Sequence, residues 1–119
     1  MNILIVGINP ADHNKITKNS AIYRLHEWMN RLGINHWSFF NVIPTVGLYK
    51  ANMVDYELIE KCTNGYEKIV ALGGFVSNAL KKANIDHFEM PHPSSLNRKL
   101  NDKEYETRML ILCKEYIDQ

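Results

Sequence analysis

The chain has 119 residues, of which 45% are hydrophobic, 23% charged and 10% aromatic, and it carries a net charge of +1 at neutral pH. That length suits one domain around one apolar core, and the aromatic content excludes a disordered chain. The near-zero charge and a pI near 7.8 exclude a protein that coats nucleic acid through bulk positive charge, while leaving room for a local basic rim.

In chain order, Asn2 to Val6 is an unbroken aliphatic run that stops at Gly7, as expected of a strand buried on both faces of a parallel sheet. It lacks a basic flank and a cleavage site, and is too short to span a bilayer. From Ala21 the apolar residues Leu25, Trp28, Met29 and Leu32 fall on one helical stripe, with Asn19 or Ser20 as N-cap and Gly33 as the stop. The aromatic run His36 to Val42 reads as a second strand that meets a loop at Ile43 and Pro44. Met53, Leu58, Ile59 and Cys62 predict a second helix ending at Asn64 and Gly65. Lys68 to Leu72 predicts a third strand ending at Gly73 and Gly74, and a helix through Val76, Ala79, Leu80 and Ala83 follows. Ile85 to Met90 reads as a short fourth strand. Asn101 and Glu104 resemble a capping box ahead of a last helix through Tyr105, Met109, Leu112, Cys113 and Tyr116.

The order βαβαβαβα implies right-handed crossovers and an α/β fold: a three-layer αβα sandwich on a four-stranded, mostly parallel sheet, spanning 1–119 as one domain. No repeat, linker or low-complexity segment interrupts it. The two cysteines, Cys62 and Cys113, lie on apolar helix sides and not in a metal-ligand spacing, so a reduced, cytoplasmic setting is expected. Five histidines occur without a helical H-x-x-x-H or H-E-x-x-H pattern, and neither metal nor cofactor is expected.

Ligands of parallel sheets bind beyond the carboxyl ends of the strands. Here that edge collects four loops, Gly7 to Asn14, Asn41 to Val46, Gly73 to Phe75, and Pro91 to Lys99. In the first, "GINPADHN" is neither a dinucleotide fingerprint nor a phosphate loop, and Pro10 stiffens the turn that carries Asn9. In the second, Asn41 is a turn asparagine or an amide able to donate and accept at once along a nucleobase edge. Gly73 and Gly74 read mainly as packing glycines. In the fourth, "PHPSSLNRK" sets His92 between two prolines. Ser94 and Ser95 follow with backbone N–H groups that either hold a phosphate or begin a turn, and Arg98 and Lys99 are a solvated pair or a phosphate contact.

Together these segments resemble the uracil-DNA glycosylase superfamily. "GINPA" (Gly7 to Ala11) is similar to the first motif of the mismatch-specific and thymine-DNA glycosylase branch. "FFNV" (Phe39 to Val42) is similar to the segment whose asparagine reads uracil, and "HPSSLNR" (His92 to Arg98) to the second motif of uracil-removing branches. The resemblance implies a base-flipping DNA glycosylase acting on uracil or a related mismatched or modified pyrimidine, with DNA as partner. By the same resemblance His92 donates to the departing base oxygen and Asn9 orients water through its amide or its backbone carbonyl. Gly7, Ile8 and Pro10 shape the turn, and Asn41 pairs with the base edge. Leu96 fills the gap left by the flipped nucleotide, Ser94, Ser95 and Arg98 grip phosphates, and Asn97 is counted among the substrate-binding residues. A stacking aromatic comes from Phe39, Phe40 or Tyr23, with Phe40 taken into the site; adjacent strand residues point to opposite faces, so at most one of Phe39 and Phe40 reaches it. Asp12 is the nearest carboxylate in sequence, and Ala11 stands where some branches carry a shielding tyrosine. A non-cleaving module that binds nucleobase, nucleotide or modified DNA, or another activity on modified bases, is the alternative.

Overall fold

The structure is a computed structural model, and it describes residues 2–10, 20–94 and 97–119. Four strands, β1 (Ile3–Gly7), β2 (Ser38–Asn41), β3 (Lys68–Leu72) and β4 (Phe88–Met90), form one sheet in the order β2-β1-β3-β4. Every pairing is parallel: Leu4 faces Ser38, Ile3 faces Lys68, and Val70 faces Phe88. Four helices alternate with them, α1 (Ala21–Arg31), α2 (Tyr56–Thr63), α3 (Gly74–Lys82) and α4 (Lys103–Asp118). The α/β class and four-stranded sheet expected from the sequence are what the chain adopts. Among the described residues no helix is long and apolar enough to cross a membrane.

The sheet sorts its side chains by the two-residue period of a strand. Ile3, Ile5, Val70 and Leu72 point to one face, where they pack with Leu25, Trp28 and Met29 of α1 and Leu110, Cys113 and Ile117 of α4. Leu4, Val6, Ile69 and Ala71 point to the other, against Ile59 of α2 and Val76, Ala79 and Leu80 of α3. Right-handed crossovers require this sorting. The connection from β1 to β2 runs in one direction along the sheet, and those from β2 to β3 and from β3 to β4 run in the other, so α1 and the α2–α3 pair fall on opposite faces. The central strands are therefore buried on both sides, which is why β1 and β3 read as continuous apolar runs. Each fully buried aliphatic side chain among them contributes roughly 1.5–3 kcal/mol.

Boundaries differ from the sequence reading where side chains have other work. The second strand begins at Ser38 and not at His36, because Trp37 packs toward the α1 layer and meets the His26 ring at 5.2 Å. The fourth strand is only Phe88–Met90. Residues 85–87 end α3 instead: Ile85 N–H donates to Leu80 O, and the His87 ring hydrogen-bonds Ile85 O and Ser77 Oγ, each at 2.7 Å. The second helix begins at Tyr56 and not at Met53, which lies in a separate 3-10 turn, Ala51–Met53; Asp55 caps the helix by accepting from Leu58 N–H. The last helix is capped by Asp102, whose carboxylate accepts from Glu104 and Tyr105 N–H, and not by Asn101. A carboxylate there also suits the positive end of the helix dipole.

Candidate functional site

In the strand order β2-β1-β3-β4, the connection leaving β1 turns toward β2 and the one leaving β3 turns toward β4. Between such diverging loops a crevice opens. A cleft of about 970 Å³ lies there, lined by the described parts of all four loops expected from the sequence together with Ala21, Ile22 and Leu25 of α1. Gly7, Ile8, Asn9, Pro10, Asn41, His92, Ser94 and Asn97 all line it. None of its described lining residues is Asp, Glu, Lys or Arg. The described lining thus suits a mostly apolar group with a few polar edges.

His92 follows β4, two strands from β1, which is roughly 10 Å across the sheet. It reaches the crevice by leaning over the end of β3, where Gly73 stands. A Cβ at position 73 would come within 3.1 Å of the His92 Cβ, and Gly73 also holds φ +92°, a region side-chain-bearing residues avoid. Gly73 therefore does more than pack a helix on a strand: its missing side chain is the space in which His92 sits. The imidazole Nδ1 accepts from Ser94 N–H at 3.1 Å. With Nδ1 an acceptor, the neutral ring carries its proton on Nε2. Burial pushes the His92 pKa below its ordinary value, because the charged form loses hydration, so the ring is neutral at pH 7 and offers an N–H donor.

Of the two readings of the Ser94 backbone N–H, phosphate donor or start of a turn, the structure shows a local one: the N–H donates to His92 Nδ1. Asn97 is committed as well. Its Nδ2 donates to His92 O at 3.0 Å and its Oδ1 accepts from Lys99 N–H at 3.2 Å, so its side chain braces the histidine loop.

Asn9 and Asn41 line the same cleft, and the first two loops are held together because strand-like pairing continues past the strand ends: Val42 and Ile43 N–H donate to Gly7 and Ile8 O at 3.0 and 2.8 Å. Asn9 Nδ2 then donates to Gly47 O at 2.7 Å and to Thr45 O at 3.2 Å. With both amide hydrogens so used, the remaining polar atom of the Asn9 side chain is the acceptor Oδ1. Asn41 lies over Gly7. A Cβ on Gly7 would stand 2.7 Å from both Asn41 Oδ1 and Phe39 Cζ, so glycine is what admits the amide and the ring together.

Phe39, not Phe40, lines the cleft. Phe40 packs against the α2–α3 layer, on the opposite side of the strand. The signal was present in the sequence, since Phe39 and Asn41 are two apart and must share a face. Tyr23 is exposed and does not line the cleft, and Arg98 and Lys99 are exposed outside it. Ala11, Asp12, Ser95 and Leu96 lie outside the described residues. The sequence reading missed Gly47 and Tyr49 as lining residues beyond the expected second loop, and Ile22 and Leu25, which read as plain helix core.

A second hollow of about 590 Å³, lined by Ser77, Lys81, Asn84, Asp86, His87 and Glu89, contains the Ser77–His87 pair. Ser77 is fully buried, so this serine ties α3 to the approach to β4 and does not present a nucleophile. No protein-family model matches the chain, and no curated protein matches it.

Proposed function

We propose that this chain is a compact glycosylase of the uracil-DNA glycosylase type, hydrolysing the bond between a deoxyribose and uracil or a related pyrimidine that has been flipped from DNA. One observation carries the reading: the G-I-N-P turn, the strand-end asparagine and the H-P-S loop, each resembling a motif of that superfamily, line one cleft, and its described lining residues include no Asp, Glu, Lys or Arg. In this mechanism the bond from the sugar carbon to the base nitrogen breaks, the base leaves as an anion with the electron pair, and water adds to the sugar carbon and gives up a proton, with the departed base anion taking one up. Neutral His92 donates through Nε2 to the base oxygen on which negative charge develops, a stabilisation that a buried site makes stronger than water would. Asn41 reads the base edge, Phe39 lies beside the base, and Asn9 Oδ1 orients the water without taking its proton. A reducing, cytoplasmic setting accords with free thiols at Cys62 and Cys113.

A specific observation favours a second reading. The described cleft-lining residues include no carboxylate, and an amide cannot act as a general base. A module that binds the same base without cleaving it would need none. The two are separated by incubating the protein with uracil-containing, thymine-mismatched and hydroxymethyluracil oligonucleotides and assaying alkali-labile abasic sites. The glycosylase reading expects product, with His92→Ala slowing its formation by about 10²–10³-fold, the magnitude of a lost transition-state donor. Absence of product on every substrate, with saturable binding intact, leaves the binding module.

A further inference from the structure

The segment from Val42 to Asp55 is a closed loop: Asp55 N–H donates to Val42 O at 3.0 Å across its base, and Asn9 pins its middle through the carbonyls of Thr45 and Gly47. What the clamp holds up is apolar. Val46 is 56% exposed, Leu48 94% and Tyr49 46%. Tyr49 stands edge-to-face with Phe75 at 4.9 Å between ring centroids, and both rings line the cleft. A core has no use for a leucine this exposed, and a loop tip fixed by two side-chain hydrogen bonds from another loop is a built surface. Lys50 adjoins Tyr49 in sequence, Arg98 and Lys99 follow the histidine loop, and neither 44–50 nor 91–101 contains an acidic residue.

We infer that this clamped loop is a platform for an unpaired strand, with Tyr49 stacking on the nucleotide next to the one in the cleft and Lys50 meeting its phosphate. The inference rests on the reading that the cleft holds a nucleobase, and it adds that the polymer around that base is single-stranded. A half-exposed aromatic ring followed in sequence by a cation suits a base whose own face is uncovered, and such stacking is indifferent to base identity. In a duplex that face is covered by the next base pair.

The test is fluorescence anisotropy with a short labelled oligothymidylate carrying one central deoxyuridine, alone and annealed to its complement, alongside an all-thymidine control. The single strand should bind more tightly than the duplex. Tyr49→Ala should weaken single-strand binding about tenfold and Tyr49→Phe should restore it, as one stacking contact requires. Lys50→Gln should lower the salt slope by about 0.7, the value for one phosphate contact on a single strand. Equal binding by wild type and Tyr49→Ala, or tighter binding to the duplex, overturns the platform. So does a concentration-dependent dimer of the free protein that Leu48→Ser abolishes, since the apolar tip would then be a contact between copies. Tyr49-dependent binding that ignores the deoxyuridine keeps the platform and removes the uracil reading. If no oligonucleotide binds, both fall.

Discussion

His92 has a neutral ring because of what surrounds it. Protonating Nδ1 would set an N–H against the Ser94 N–H that now donates to it, and would place a charge where hydration is poor. Its folded-state pKa therefore lies below its unfolded-state value, ordinarily about 6.5. Between those two values the unfolded chain binds more protons than the folded one, so stability rises with pH across that window and is lost as pH falls through it. The contribution is fully present above about pH 6.5. The comparison is with His92→Gln, which lacks only this imidazole and cannot protonate there. Urea titrations at a series of pH values should show wild type losing stability relative to this variant only on the acid side; a constant difference would mean that the ring is not desolvated. At this scale the sequence was legible wherever a residue's neighbours are local. Pro91 and Pro93 mark His92 as rigidly held, and the spacing of Phe39 and Asn41 gives their shared face. It was not legible that Ser94 N–H and the Asn97 amide are turned inward onto the histidine, because those bonds depend on how an irregular loop closes.

Helices α1 and α4 are joined by one buried carboxylate that periodicity does not flag. Glu106 is 4% exposed; its two oxygens accept from Trp28 Nε1 and from Arg31 Nη1, each at 3.2 Å. Lys103, one helical turn earlier, stands at 3.9 Å and is largely exposed, so it adds little. Trp28 is completely buried, so its indole N–H has no recourse to water if the carboxylate is removed. Glu106→Leu should therefore cost about 1–3 kcal/mol, the penalty of an orphaned buried donor. Glu106→Gln keeps an acceptor for the indole and should cost visibly less. Urea midpoints for the two variants check this, and equal losses would show that the Arg31 ion pair, not the indole bond, holds the helices. A similar substitution of partners explains the short fourth strand. Ile69 N–H, on the side where β4 has not yet begun, donates to the Tyr116 hydroxyl of α4 at 3.0 Å, and the Tyr116 ring stacks on Phe88. Element type was readable from apolar period, but this strand's length was not, since a side chain from a distant helix fills the missing rung.

Across the whole molecule, the sheet order β2-β1-β3-β4 is what brings three distant motifs to one crevice; alternation and crossover handedness set the parallel pairing and the face each helix covers, but not that order. The sequence supplied the alternation and the carboxyl-edge rule; that Gly73 is cut away for His92 required knowing that β3 lies between β1 and β4. The same layering makes a prediction about cooperativity. Cys113 is fully buried in the cluster that α1, α4 and the sheet share, and burial pushes its thiol up to about 12, so almost no thiolate forms near pH 8. Cys62, on α2, is half-buried and belongs to the other layer. Because β1 and β3 send alternate side chains into both layers, neither layer can leave the sheet without uncovering the strands that hold the other. In native protein at pH 8, Ellman's reagent should modify Cys62 first and Cys113 only as fast as the whole molecule opens. The urea midpoint for Cys113 labelling should then coincide with loss of helical circular dichroism, as expected of two-state unfolding. Labelling of Cys113 well below that midpoint would mean that α4 detaches alone. The Glu106→Leu variant distinguishes the two modes, because it should raise both transitions' sensitivity to urea together if the layers are coupled, and that of the thiol alone if they are not.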